Sequence, residues 1–229
     1  MKKHSRSDKI FDMINMVLLT LMMAVILYPL YFIVIASISS PAAVNSGQVL
    51  LFPKGATLEG YKYVLKDNSI WKGYANTIIL TVTGTLVNMF LTVTCAYALS
   101  KSHLPFIKFI MFAMTFTMFF SGGIIPTYLL VSGMGMRDTI WSLILPTAVS
   151  VYNVILMRTY FMNSVPDEII QAAKIDGCSE IKALAAVVLP LSKPILVTIA
   201  LFYGVGHWNQ FFQALIYISD KDRFPLQLV

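Results

Sequence analysis

Charged residues are scarce in this chain of 229 residues: Asp, Glu, Lys and Arg make up 12% of it, about half the share usual in a soluble domain. With 57% apolar residues, that scarcity excludes an ordinary soluble domain and points to an integral membrane chain. Acids are missing from all five long apolar runs, so none carries the intramembrane carboxylate that proton or sodium coupling uses. Cysteine is nearly absent. Cys95 lies in an apolar run and Cys178 in a polar stretch, so no disulfide framework is implied and packing is their expected role. No Walker-type motif is present. GATLEGYK at 55–62 has two glycines and a later lysine, but it lacks the adjacent Gly-Lys-Ser/Thr, and the chain is expected to have no nucleotide site or cofactor of its own. His103 has no second ligand nearby in sequence, so no metal site is expected. The net charge of +6 is spread over connecting segments, without the stripe or aromatic platform of a nucleic-acid binder.

What the chain has instead is five apolar runs, each long enough to cross a bilayer. The first, 13–38, follows the basic MKKHSRSDKIFD; it is too long for a signal-peptide core and lacks a cleavage site. Lys2, Lys3, Arg6 and Lys9 place residues 1–12 in the cytoplasm by the positive-inside tendency. Over the whole chain that bias is slight. A turn-rich connection at 39–73 leads to the second run, 74–99, which carries Asn76, Asn88 and, among its threonines, Thr81, Thr83, Thr85, Thr92 and Thr94. Such residues bond their own backbone or neighbouring helices, or line a solute path. The third run, 106–131, is interrupted by SGGIIP at 121–126, the mark of a kink or of a broken helix lining a cavity. The fourth spans 141–161. The fifth, 194–218, ends in His207, Trp208, Asn209, Gln210 and Gln213. Amides at that depth must be paired across helices or face a wet cavity, and Asn209 is expected to matter more than Gln213, which lies nearer the membrane surface.

Between the fourth and fifth runs lies a polar-flanked island, SVPDEIIQAAKIDGCSEIKALAAVVLPLSKP at 164–194. Ser164 can cap a first helix whose opening turn holds Pro166, Asp167 and Glu168. Gly177 supplies a left-handed stop. Ser179 can cap a second helix, with Ile181, Leu184, Ala185 and Val188 as one apolar stripe and Pro190 and Pro194 at its end. Ile169, Ala172 and Ala173 share a face of the first helix that permits close approach. Periodicity alone leaves open an amphipathic segment on the membrane surface or a pair of core helices.

The order QAAKIDG, then VVLPLSKP, resembles the EAA loop of the membrane-spanning permease subunits of binding-protein-dependent ABC importers, in their carbohydrate branch. Ala172, Ala173, Asp176, Gly177, Leu189 and Pro190 match that pattern in order and spacing. Gln171 stands where the family usually has Glu. The likeness extends through Trp208 and Asn209 and covers most of the chain. It implies an all-α polytopic membrane fold in a bacterial inner or plasma membrane: five transmembrane helices visible of an expected six, a cytoplasmic N-terminus, a cytoplasmic two-helix coupling loop at 164–194, and an extracellular segment at 219–229, with the chain ending before a final span. It implies further that a cytoplasmic ABC ATPase dimer docks on the loop through Gln171, Ala172, Ala173, Asp176, Gly177, Leu189 and Pro190, and that a second homologous permease completes the pore. An extracellular solute-binding protein, lipid-anchored or periplasmic, would deliver an oligosaccharide or sugar derivative, with 39–73 part of its docking surface. Trp208, Asn209 and Gln210 become candidates for the pathway or gate. Such a chain is a transport subunit, not an enzyme. The alternatives are an ATPase-independent secondary transporter or channel-like protein, and a scaffold without transport activity.

Overall fold

The computed structural model describes residues 6–101 and 105–229; Lys2, Lys3 and His103 lie outside the described residues. Every regular element among them is helical. The chain divides at Asn68 into two compact units.

In the first unit, α1 (Arg6–Ser37) has 32 residues, about 48 Å at 1.5 Å per residue, more than the hydrocarbon core requires. All its residues from Ser7 to Tyr31 are exposed, on a helix that is apolar over most of its length and long enough to cross a membrane. Beyond it, two short helices replace the irregular connection expected at 39–73. In α2 (Pro41–Asn45) the Ser40 hydroxyl accepts from the Ala43 amide, and Pro41 takes the first position, a strong local start signal. Gly47, at φ +68°, reverses the chain before α3 (Glu59–Lys66).

The second unit is organised on α4 (Asn68–Ser100), 33 residues long, which starts six residues before the predicted span. Tertiary partners extend it. Lys72 pairs with Asp222 at 2.7 Å, and the Asn76 amide donates to the carbonyls of Asp222 (2.9 Å) and Phe224 (3.0 Å). The last residues therefore lie against the start of α4, where the Leu226 N–H donates to Thr77 Oγ1 at 2.8 Å. A Cβ on Gly73 would stand 3.1 Å from the Leu226 backbone, so close approach is what this glycine permits.

The other apolar runs are broken. Helices α5 (Ile107–Phe119) and α6 (Ile124–Gly133) meet at 110°, so SGGIIP marks a break rather than a kink, with Gly123 at φ +89°. The fourth run is not continuous: α7 (Trp141–Thr147) and α8 (Val151–Ser164) meet at 55°. Ser150 caps α8 by accepting from the Asn153 amide at 3.4 Å, a start signal hidden inside an apolar stretch. After α9 (Asp167–Ile175), helix α10 (Glu180–Leu191) turns through 88° into α11 (Lys193–Trp208), and α12 (Phe212–Tyr217) follows a second break. By length and composition, two uninterrupted helices and three bent pairs make up to five spans. Two apolar clusters flank α4. Ala96, Val154, Met157, Phe161 and Ile199 pack toward its C-terminal end; Leu80, Val131, Ile144, Ala214 and Tyr217 pack toward its start.

Candidate functional site

The island folds as two helices joined at Gly177, but its entry differs from expectation. Helix α8 continues through Ser164, so that serine caps nothing, and Pro166 occupies the N-cap of α9 without a side-chain bond. Buried Val165 holds the turn. At the far end of α9 the Gly177 N–H donates to the Lys174 carbonyl (3.0 Å) and the Cys178 N–H to the Ala173 carbonyl (2.9 Å), the paired bonds of a Schellman stop. Gly177 sits at φ +81°. A Cβ there would meet open space, so the backbone angle alone calls for glycine. Ser179 caps α10 as expected, accepting from the Lys182 amide. Lys174 and Glu180 form an ion pair across the turn, and Glu180 also accepts from the Tyr97 hydroxyl at 3.0 Å, which ties the island to the end of α4.

The expected stripe on α10 is corrected. Ile181 is 81% exposed, while Ala183 and Val188 are buried. The stretch Leu184–Val188 is wound as a π-helix, whose five-residue spacing brings Ala183 and Val188 to one face where an α-helix would bring residues three and four apart. Pro190, two residues beyond, lacks the N–H that would tighten the turn.

On α9, Ile170 is buried with Val165 and Val188 in the core cluster and anchors the helix. Gln171, Ala172, Asp176 and Gly177 are exposed, Ala173 and Leu189 are half-buried, and Pro190 is exposed. Ile175 is 87% exposed. It lies outside the small-residue face read from the sequence, and its signal was an isoleucine beside an aspartate at a helix end.

A second polar assembly lies between the spans. Tyr203 and His207 lie one turn apart on α11 and Gln210 just past its end, and all three are buried. The Tyr203 hydroxyl lies 2.7 Å from Thr92 Oγ1 and accepts from the Ser150 amide at 3.1 Å. The Asn88 amide donates to His207 Nε2 (3.0 Å) and to the Thr147 carbonyl (3.4 Å); His207 Nδ1 faces Gln210 Oε1 at 3.4 Å; Gln210 Nε2 donates to the Leu143 carbonyl at 3.0 Å. Both bonded carbonyls belong to the bent α7–α8 segment. Gly84 makes the contact possible, since a Cβ there would stand 2.6 Å from His207 Nε2.

Of the gate candidates, only Gln210 joins this brace. Asn209 is exposed and donates to the Val205 carbonyl of its own helix at 2.9 Å, so the expected buried partner is not there; Trp208 is 39% exposed. Sequence reading missed the pairing of Asn88 and Tyr203, whose partners lie 119 and 111 positions away. The threonines divide between roles, with Thr94 bonding its own helix and Thr92 a neighbour. Beside the brace is a cavity of about 390 Å³ faced by Asn88, Ser150, Asn153, Asn209, Gln210 and Gln213. A second, of about 240 Å³, opens at the break between α5 and α6, with Ser121, Gly123, Thr127 and Gln213 in its wall. The broken third run does line a cavity.

This frame has close counterparts among known proteins. The family described as binding-protein-dependent transport system inner membrane component matches residues 1–228. Protein LplC of Bacillus subtilis (strain 168) is 41% identical over 226 residues, 99% of this chain and 76% of that protein. The polygalacturonan/rhamnogalacturonan transport system permease protein YtcP of the same organism is 37% identical over 222 residues, 97% and 77% of the two chains. The sn-glycerol-3-phosphate transport system permease protein UgpE of Escherichia coli (strain K12) is 30% identical over 213 residues, 90% and 75%. Among solved structures, a chain in the crystal structure of a bacterial ABC transporter involved in the import of the acidic polysaccharide alginate matches at TM-score 0.95 and 38% identity, covering 100% of this chain and 81% of that one.

Proposed function

The chain belongs to the family of binding-protein-dependent transport system inner membrane components, the permeases of ABC importers, and on that premise we propose that it passes an oligosaccharide or sugar derivative through the membrane. Relatives named for polygalacturonan and rhamnogalacturonan transport and for alginate import support the sugar class. Family membership favours an ABC importer over the secondary-transporter and scaffold readings, and permeases of this family are transport components rather than enzymes.

In this reading the work comes from a separate ATPase dimer on the island, a second homologous permease completes the pore, and a solute-binding protein delivers the cargo. The observation that carries the docking role is the pair Ile175 and Ile181, 87% and 81% exposed at either side of the Gly177 turn, on helices anchored in the core through Ile170 and Val188. Two large aliphatic side chains flanking one exposed polar turn are what a docked partner would cover. Gln171, Ala172, Asp176 and Gly177 lie on the same exposed helix and turn, and an amide at Gln171 still donates and accepts hydrogen bonds. Replacing both isoleucines, Ile175→Glu and Ile181→Glu, is expected to abolish co-purification of the ATPase while membrane abundance stays normal. Unchanged co-purification would remove the island from the docking role.

The N-terminus and the island share the cytoplasmic side in this proposal. An impermeant thiol reagent on intact cells should label Ser46→Cys and miss Ser179→Cys; labelling of both would overturn the topology.

A further inference from the structure

Residues 47–54 make an excursion that an aqueous loop has no reason to make. After Gly47 turns the chain, the backbone runs back along α1: the Tyr28 hydroxyl donates to the Leu50 carbonyl at 3.2 Å and the Tyr31 hydroxyl to the Leu51 carbonyl at 2.5 Å. The chain then returns to the end of α1, where the Ser40 N–H donates to the Lys54 carbonyl (3.0 Å) and the Thr57 N–H to the Ile38 carbonyl (2.9 Å). At the tip of this excursion Leu50, Leu51 and Phe52 are exposed, Phe52 at 75%.

The depth of the tip follows from the helix. Asp12 precedes the apolar run of α1, and about 20 helical residues cross the hydrocarbon core. Even when that core is drawn as close to Asp12 as possible, it reaches past Tyr31. The two tyrosines therefore lie at or just inside the boundary on the far side, where amphipathic rings concentrate. The carbonyls they satisfy are those of Leu50 and Leu51, and satisfying backbone acceptors from a neighbouring side chain is what a segment needs where water is missing. No charged residue occurs from 38 to 53, and the exposed apolar surface of Leu50, Leu51 and Phe52 lies beside that of α1.

From these observations we propose that Leu50, Leu51 and Phe52 form a wedge inserted into the outer leaflet of the bilayer, held at depth by Tyr28 and Tyr31. The wedge fixes the lipid, rather than the solute-binding protein or the partner permease, as the surface this part of 39–73 meets. The proposal rests on α1 spanning the membrane with its N-terminus in the cytoplasm and is independent of the solute and of the ATPase.

The test places a reporter at the tip in the full chain, co-expressed with its own partner subunits and reconstituted in phosphatidylcholine vesicles. The fluorescence added by Phe52→Trp, taken as the difference from the parent, should be quenched by phosphatidylcholine brominated at positions 6 and 7 of the acyl chain and shielded from iodide. Adding Tyr28→Phe and Tyr31→Phe should shift that emission to the red and restore iodide quenching, because the freed carbonyls then seek water. Quenching of the added emission by iodide and not by brominated lipid would assign the tip to the aqueous surface. Quenching by neither would assign it to a protein interface. Either result overturns the wedge.

Discussion

The island at 164–194 and the brace around His207 are both polar interruptions of an apolar chain, and they are built in opposite ways. On the island the polar groups are satisfied within a few residues, by the Gly177 stop and the Ser179 cap, and the apolar side chains Ile175 and Ile181 are left over. In the brace the polar groups reach partners in other helices, such as Asn88 for His207 and the Leu143 carbonyl for Gln210, while the Asn88 Oδ1 is left buried without one. Under the docking role proposed above, the island keeps most of its bonding local, apart from the Tyr97–Glu180 bond, and its apolar groups free. The brace spends its polar groups on distant segments.

The comparison breaks first at Gly84. A side chain there overlaps the His207 ring, so Gly84→Leu should push the ring out and strand Asn88 and Gln210, by roughly 3 kcal/mol or more from overpacking and lost hydrogen bonds together. Membrane abundance on an immunoblot is expected to collapse; near-normal abundance would show that the brace does not hold the spans. A finer contrast pairs two neighbours. Gln210→Leu removes the 3.0 Å donor to the Leu143 carbonyl, leaving it only the Thr147 hydroxyl at 3.5 Å, and should lower thermal stability in detergent by about 1–3 kcal/mol. Asn209→Leu loses only an exposed bond to its own helix and should stay within about 0.5 kcal/mol of the parent. Equal losses would erase the distinction between the two amides.

For the island the expected signature is function without stability. Gly177→Val forces a branched residue to φ +81°, a strain of about 1–3 kcal/mol in an exposed turn. Insertion and abundance should be unchanged while uptake falls about tenfold, the factor that 1.4 kcal/mol represents. Uptake at the parental level with equal abundance would show that the turn is not the coupling element.

The smallest expected effect is at the other end of the spans, where a local acid ties two segments. Asp138 accepts from the Ser219 and Asp220 amides at 2.5 and 3.1 Å, and those backbone bonds hold its carboxyl below the usual carboxylate range. A depressed folded-state pKa stabilises above the unfolded value, near 4, and that contribution is lost as the pH falls below it toward the folded value. Protection of the Ser219 and Asp220 amides, taken relative to their intrinsic exchange rates at each pH, should therefore fall below about pH 4, and Asp138→Asn should remove that dependence. An unchanged profile in the Asn variant would place the effect elsewhere.

Much of this was legible in the order of residues. The Gly177 stop, the Ser179 cap and the break at SGGIIP are local, since a backbone angle or a cap depends on residues a few positions away. Local rules fell short at the island's entry, where Ser164 remained in α8. Asn209, singled out by the resemblance, bonds the Val205 carbonyl one turn away and lies in the wall of the cavity beside the brace. The π-wound turn at Leu184–Val188 moved the buried face of α10 onto Ala183 and Val188 against the α-helical stripe, and no periodicity count with a period of 3.6 finds such a shift.

By itself the sequence determined that the chain lives in a membrane, that its acids are kept out of the apolar runs, and where its turns and caps fall, because each of these depends on composition or on neighbours a few positions away. Only the tertiary structure decided which amides are buried, that Gly84 lies against His207, that residues 219–229 lie along the start of α4, and that Ile175 and Ile181 stand free. Those outcomes depend on which helices meet. In a bilayer, where an unpaired backbone or side-chain polar group has no water to turn to, the meeting of helices is what selects among polar residues that look equal in the sequence.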